Sequence, residues 1–597
     1  MIRHNITTSL YRHAVLLAWL FLPFLLPAQS LQPPQLDFPL HLPAAPSGTF
    51  AEFRANHFHG GVDLRIGGDP GIGTPVYAPA DGYVSRLRIS GYDGGKMLYI
   101  NHSGNITTVY LHLDSYHGPI ADYVLKYQRE HQCYTFDTTL SEDVLPVKRG
   151  DIIAHAGNSG MSGGPHLHYE VRNTRTQQSL NPLDYGVAFE DTVPPTLKGI
   201  RLLPADKNSR INRSKSPYQV DLSYANNRRG SFSNPILITG RFYVGVYASD
   251  RSKGSTFNNG YDQIDIWVDG HPFFQYNVDR ITFGDTRAIN AQIDYGHYCA
   301  TKEAYVLTRR FEGDPMRPAR TFGDGSIGFV ESDTTLHRIT VAVSDYSGNK
   351  VVRCFYVRNS LEVLVSMHDV PEHPSYHLFA DSISPRWPLS IYRGDYQIDM
   401  PANMVYYDDF MLHGIQKDHR YISPIYTVKP WKTPYPPHCT WTLRVPLVIG
   451  YEPEQLVLCR LSGDYASAMP TRIVERRIEG KPGRWLEADV RWYGNYVVKC
   501  DTSAPYVNPT NFTQGGKVTG RYLTMTMGDN LSGVKEHRCF INGEWVLSEF
   551  DGKGSVLSID LAQVENLSGS FELRIFLADK CGNSRELVYH LRYSPTK

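Results

Sequence analysis

A chain of 597 residues exceeds what one hydrophobic core usually organises, so several domains are expected. Lysine plus arginine equals aspartate plus glutamate at 60 each, and neither end is strongly basic, which excludes the electrostatic footprint of nucleic-acid binding. With 39 tyrosines, 50 glycines and 39 prolines, the composition suits short twisted strands joined by turns, and the expected class is all-β.

The first thirty residues, MIRHNITTSLYRHAVLLAWLFLPFLLPAQS, set Arg3 and Arg12 ahead of an apolar run from Ala14 to Leu26 and a small-residue exit around Ala28 to Ser30. This reads as a secretory signal over residues 1–30. An anchor is the poorer reading, because about 13 apolar residues broken by Pro23 fall short of the roughly 20 that span a bilayer. No later segment is apolar enough to span, so the expected mature chain is exported without a membrane span, to a periplasmic, outer-surface or extracellular location.

Residues 36–190 concentrate histidines among glycines. HFHGGVD places His59 and Asp63 four apart, and Gly60 and Gly61 between them argue for a strand leading into a turn, not a helix. His112 lies in TTVYLHLDS, an alternating strand that can turn the imidazole toward the same site. An insertion at about 116–146 follows, in which IADYVLKYQREHQ reads as a short helix through Ile120, Val124, Leu125 and Tyr127. It is either a lid or wall beside His112 or a surface excursion. In GGPHLHYEV, strand alternation projects His166 and His168 from one face, with Leu167 and Tyr169 on the other. Two histidines and one carboxylate suit a catalytic zinc with its fourth position open to water or substrate. Such a metal lowers the pKa of its bound water to roughly 7, and a further imidazole can accept and return the proton.

Downstream, two stretches recur. ITGRFYVGVYASDRSKG, Ile238 to Gly254, resembles VTGRYLTMTMGDNLSG, Val518 to Gly533, and the hairpin pattern RITVAVSDYSGNKVVRCFYVR, Arg338 to Arg358, matches ELRIFLADKCGNSRELVYHLR, Glu572 to Arg592. The openings also agree, DTVPP at Asp191 and DTSAP at Asp501. Two Ig-like β-sandwich modules are therefore expected, at 191–358 with insertions around 205–235 and 285–325, and at 501–597. Residues 359–500, with TWTLRVPL and RWYGNYVVKC, read as a separate β domain of unknown type. Such modules bind, space or orient, so a protein or glycan partner is the expectation for them. Their aspartates Asp250, Asp345, Asp529 and Asp579 read as ordinary turn residues, with calcium ligation as the alternative. The eight cysteines show no CxxC spacing, which argues against a cysteine zinc site; their even number permits disulfides of unreadable pairing.

The motif order FRANHFHGGVDLRI, GTPVYAPADGYV, LYINHSG, TTVYLHL, VKRGDIIAHAGNSG, GGPHLHYEVR and LNPLDY, over roughly residues 53–185, resembles the lysostaphin-type or LytM metallopeptidases. The resemblance implies a compact, mostly antiparallel β domain, residues 36–190, whose groove holds one zinc ion. By motif position His59, Asp63 and His168 correspond to the metal ligands. His112 and His166 correspond to the pair flanking water and substrate carbonyl: His166 as general base, His112 orienting water or stabilising the oxyanion, with the two roles open to exchange. Noncatalytic members typically lose one or more of these five positions, and all five are present. His57, His102 and His155 fall in the same motifs as secondary or structural residues. The implied activity is an exported zinc endopeptidase that hydrolyses peptide cross-links of bacterial peptidoglycan, between D-alanine and a diamino acid, by attack of zinc-activated water. Two alternatives stand beside it: a noncatalytic wall-binding or amidase-activating adaptor, and a secreted protease acting on glycine-rich proteins.

Overall fold

Apolar residues spaced two apart build the sheet that carries the histidines. The computed structural model describes residues 35–594 except 42–45, 68–70, 226–234, 361–377, 431–434 and 479–480, so the expected signal at 1–30 lies outside the described residues. Strand accounts for 49% and helix for 8%, and the all-β class stands.

The elements that position the site are β1 (Val62–Arg65), β2 (Gly82–Ile89), β3 (Lys96–His102), β4 (Ile106–Tyr116), α1 (Gly118–His131), β5 (Phe136–Thr139), β6 (Ile152–Ala156) and β7 (His166–Asn173). Five of them form an antiparallel sheet in the order β1-β7-β4-β3-β2. On one face, Leu64, Leu98, Ile100, Tyr110, Leu113, Leu167, Tyr169 and Val171 are fully buried in a single core. Burying each such side chain contributes roughly 1.5–3 kcal/mol, so β7 cannot slip by one residue without exposing three of them. The other face carries His166, His168 and Glu170, beside a small apolar cluster of Met97, Tyr99 and Val109.

β4 is not the plain alternating strand that TTVYLHLDS suggests. Tyr110 lies opposite Leu98 and Leu113 opposite Lys96, so three steps on β4 face two on β3. The extra residue is a β-bulge, and His112 sits in it with φ 62. Unbroken alternation from Tyr110 would send His112 into the core; the bulge turns it to the other face and returns Leu113 to the core.

The insertion is woven into this domain. α1 starts with a proline in its first turn and ends at Gln132 in the left-handed region, and it buries Ile120, Val124 and Gln128, whereas Leu125 is exposed. Ile120 and Val124 join the main core, and β5 pairs with the edge of β2, where Arg86 forks onto Asp137 at 2.7 and 2.6 Å.

The two repeated regions share one strand order. In the first, Lys350–Asn359 lies between a parallel Ile236–Thr239 and an antiparallel Leu336–Ser344, followed by Gln263–Val268 and His271–Asn277. In the last, Ser584–Tyr593 lies between a parallel Lys517–Val518 and an antiparallel Gly569–Asp579, followed by Val534–Ile541 and Glu544–Val546. A second sheet packs on each. Between them, a six-stranded and a five-stranded sheet enclose Trp441, Leu443, Leu458 and Tyr496. All eight cysteines are free thiols. Among the described residues no helix is long and apolar enough to cross a membrane.

The sandwiches grip the first domain. Phe50 and Phe58, in the segment leading to His59, are buried in the core of the first sandwich, and Ser179–Leu180 pairs with Arg280–Ile281. The last sandwich meets the β2–β3 turn, where Gly552 N–H donates to the Gly91 carbonyl at 2.8 Å, Phe550 contacts Tyr92, and Lys96 pairs with Glu549 at 3.0 Å. Replacing Leu167 with alanine is expected to cost about 2–5 kcal/mol, seen by calorimetry as a lower midpoint for one unfolding transition with the others unmoved; an unmoved trace contradicts the face assignment.

Candidate metal centre and groove

β1 and β7 run antiparallel with Asp63 directly opposite His168, which brings the two side chains together on the polar face. His59 reaches the same point from the turn before β1. Gly61 permits this approach, since a Cβ there would run into the carbonyl of Tyr169 on β7.

One oxygen of Asp63, Oδ1, faces three imidazoles: His168 Nδ1 at 2.8 Å, His59 Nε2 at 3.0 Å and His166 Nε2 at 3.5 Å. Its other oxygen, Oδ2, accepts from the Arg54 guanidinium at 2.8 Å. Burial alone would raise this carboxyl, but the surrounding imidazoles hold it well below the usual carboxylate range.

The outward nitrogens of the ligand candidates are already engaged. His59 Nδ1–H donates to the Thr49 carbonyl at 2.8 Å, and His168 Nε2–H donates to Glu170 at 2.9 Å. The two inward nitrogens, His59 Nε2 and His168 Nδ1, then approach to 3.0 Å as two lone pairs, which repel unless a cation or a proton lies between them. Burial works against charge on His168, yet Asp63 and Glu170 push it up to about 9. The ligand atoms of His59, Asp63 and His168 all lie within 4.8 Å of one another, and two imidazoles with one carboxylate fit a divalent metal.

His112 and His166 form a second pair, with ring centroids 4.8 Å apart. His112 Nδ1–H donates to the Ser159 carbonyl at 2.9 Å and His166 Nδ1–H to the Gly164 carbonyl at 2.8 Å. His166 Nε2 then faces Asp63 Oδ1, with the His112 ring packed beside it. Burial pushes His112 down to about 4, so it is neutral at neutral pH. The loops that hold it are tightly apposed: Gly94 accepts from His112 N–H at 2.8 Å, and Gly160, with φ 68, packs backbone to backbone on Gly95.

The structure thus brings together all five residues singled out in the sequence. His57, His102 and His155 lie outside the cluster: His57 is exposed, His102 binds the Asp81 carbonyl and Thr108, and His155 binds Ser115. The insertion helix sets its buried side, Ile120 and Val124, in the main core. Two residues escaped the sequence reading. Glu170 follows His166 and His168 at the same two-residue period, so the pleat points to it; it is buried, is held at about 2 against the effect of burial by Arg172 and His168, and accepts from Arg172. Arg54 had no local signal, since its partner Asp63 is brought near only by the fold.

The model of peptidase family M23 matches residues 57–129, a span that includes His59, Asp63 and His112 and ends inside α1. A metalloprotease of Haemophilus influenzae is 34% identical over 126 residues, 21% of this chain and 20% of that protein. The DD-carboxypeptidase/endopeptidase Mpg of Neisseria meningitidis is 32% identical over 112 residues, covering 19% and 20% of the two chains. The peptidoglycan DD-endopeptidase ShyB of Vibrio cholerae is 37% identical over 113 residues, again 19% and 20%. The chain spans about a fifth of the length of these curated relatives. With the match running from the His59 turn through the bulged strand of His112, the chain carries a domain of peptidase family M23, of the LytM-like kind, and that family implies a metal.

Proposed function

We propose that this chain is an exported zinc endopeptidase that hydrolyses peptide cross-links of bacterial peptidoglycan. The observation that carries the reading is the pair of backbone-anchored imidazoles, His112 and His166, whose ring centroids lie 4.8 Å apart beside the three-donor set. A wall-binding adaptor has no need of that pair. The peptidoglycan substrate is supported by the DD-endopeptidase relatives, and export by the signal-like residues 1–30.

In this reading His59 Nε2, Asp63 Oδ1 and His168 Nδ1 would hold one zinc ion. When bound, zinc supplies Lewis acidity, acidifying water toward neutral pH and polarising a carbonyl oxygen. His166 takes the proton of the attacking water on Nε2, and the imidazolium so formed is neutralised by Asp63, 3.5 Å away. His166 then returns the proton to the departing amine. His112 Nε2, buried and unprotonated, accepts a hydrogen bond that orients the water. Arg54 and Glu170 position the ligands, the first by fixing Asp63 Oδ2, the second by fixing the tautomer of His168. The regions 191–358, 359–500 and 501–597 are read as attached modules that grip the peptidase domain and meet a protein or glycan partner.

The deciding experiment is digestion of purified peptidoglycan by the zinc-loaded chain beside its His168→Ala form, with released muropeptides identified by mass spectrometry. Loss of cross-linked dimers with the intact chain alone is the expected result; an intact wall with zinc bound favours the adaptor, and cleavage of a glycine-rich polypeptide instead favours the third reading. His166→Ala is expected to keep its zinc yet lose about 10²–10⁴-fold in turnover. Glu170→Gln is expected to weaken zinc binding about 10–100-fold in a chelator competition, and unchanged affinity removes Glu170 from the ligand support.

A further inference from the structure

Each repeated sandwich brings three carboxylates to one point far from the histidines. In the first they are Asp191 from the opening stretch, Asp250 after the strand Phe242–Ser249, and Asp345 from the turn of the terminal hairpin. In the last they are Asp501, Asp529 and Asp579, at the same three places of the repeat. Within each group one oxygen per residue lies within 4.8 Å of the others.

Turn chemistry accounts for part of this. Asp345 and Asp579 accept from Asn349 and Asn583, and Asp529 Oδ2 accepts from Leu531 and Gly533 N–H. Asp191 accepts from Val193 and Lys253 N–H, and Asp501 from Ser503 and Ser532 N–H, yet particular oxygens are left without a partner. Asp250 is 4% exposed and its Oδ1 is buried without any hydrogen-bond partner; at the equivalent place of the other sandwich, Asp529 Oδ1 is buried without one too. Asn259, bridged to Asp250, leaves its own Oδ1 buried and unpartnered. Asp501 and Asp579 are fully buried. Among the described residues no lysine, arginine or histidine forms an ion pair with any of the six. Converging, desolvated carboxylates without a counter-charge are unfavourable unless a cation or protons join them.

We propose that each repeated sandwich binds one calcium-class divalent cation, through Asp191, Asp250 and Asp345 in the first and through Asp501, Asp529 and Asp579 in the last. The donors are all oxygen, which selects a hard cation over zinc. They come from an irregular opening stretch and two turns, an arrangement that suits the flexible coordination of calcium better than the strict octahedron of magnesium. A cavity of about 260 Å³ reaches all three aspartates of the first group, which leaves room for water ligands.

The position gives the cations a task. Asp191 and Asp501 open their modules, and their carbonyls accept from Asn349 and Asn583 of the terminal hairpins at 3.1 and 3.0 Å. A cation ties the entering chain to the end of the same module and so stiffens the joint with the preceding domain. At the first joint this reaches the peptidase site: Asn259 and Gly260 bind Pro46 and Thr49, and Thr49 holds His59.

The test is calorimetric titration of calcium into the full chain dialysed free of it, with magnesium as a parallel arm. Two calcium ions per chain are expected, one after Asp250→Asn, one after Asp529→Asn and none in the double variant, with magnesium binding at least tenfold weaker. Each single variant carries its own folding control, because the untouched sandwich keeps its site. A rise in the Tm of the unaltered chain on adding calcium is expected as well. No binding and no Tm shift at calcium on the order of 1 mM, two ions retained in the double variant, or magnesium bound equally well would each overturn the proposal.

Discussion

Alternate side chains of β7 must enter the apolar core, and this pleat constraint decides where the imidazoles go. Leu167, Tyr169 and Val171 are fully buried on one face, which leaves His166, His168, Glu170 and Arg172 in a row on the other. The row is graded in role: His166 is anchored to a carbonyl, His168 faces Asp63, Glu170 fixes His168, and Arg172 fixes Glu170. A single period of two thus lines up the proposed base, the proposed ligand, the carboxylate that fixes that ligand and the counter-charge of the carboxylate. The neighbouring strands complete the site by register, Asp63 from β1 and the bulged His112 from β4.

The support extends beyond the peptidase domain. Arg172 lies over the ring of Phe283 at 4.4 Å, and Phe58 N–H donates to Thr286 at 2.9 Å; both partners belong to the first sandwich. On the opposite side Lys553 of the last sandwich binds the Asn158 carbonyl, next to Ser159, which anchors His112. The segment that carries His59 and the loop that anchors His112 are therefore each braced by a different downstream module. The insertion contributes to the second brace through Tyr134, which is buried in the core shared with Phe550.

Much of the site could be read before the fold was known, because strand alternation is local. His166 and His168 share a face by spacing alone, and the Gly-Gly turn between His59 and Asp63 marks a strand entrance. The bulge at His112 was hidden, since it depends on the mismatch between β3 and β4 and leaves no mark in TTVYLHLDS. Arg54 and the convergence of the turn aspartates were hidden for the same reason: their partners stand 9, 28 or more residues away in sequence, and only tertiary packing unites them. The repeated hairpins were visible as sequence, but the way the sandwiches seat on the peptidase domain was not, because Phe50, Phe58 and Phe550 look like ordinary core residues until their neighbours are known.

The central claim is that His59, Asp63 and His168 form one three-donor ligand set on the polar face of β7. X-ray absorption at the zinc edge of the zinc-loaded chain tests it most directly. The account predicts a first shell of nitrogen and oxygen at about 2.0–2.1 Å with the outer-shell scattering of two imidazoles. A sulfur shell near 2.3 Å, or light-atom ligands without the imidazole pattern, would contradict it.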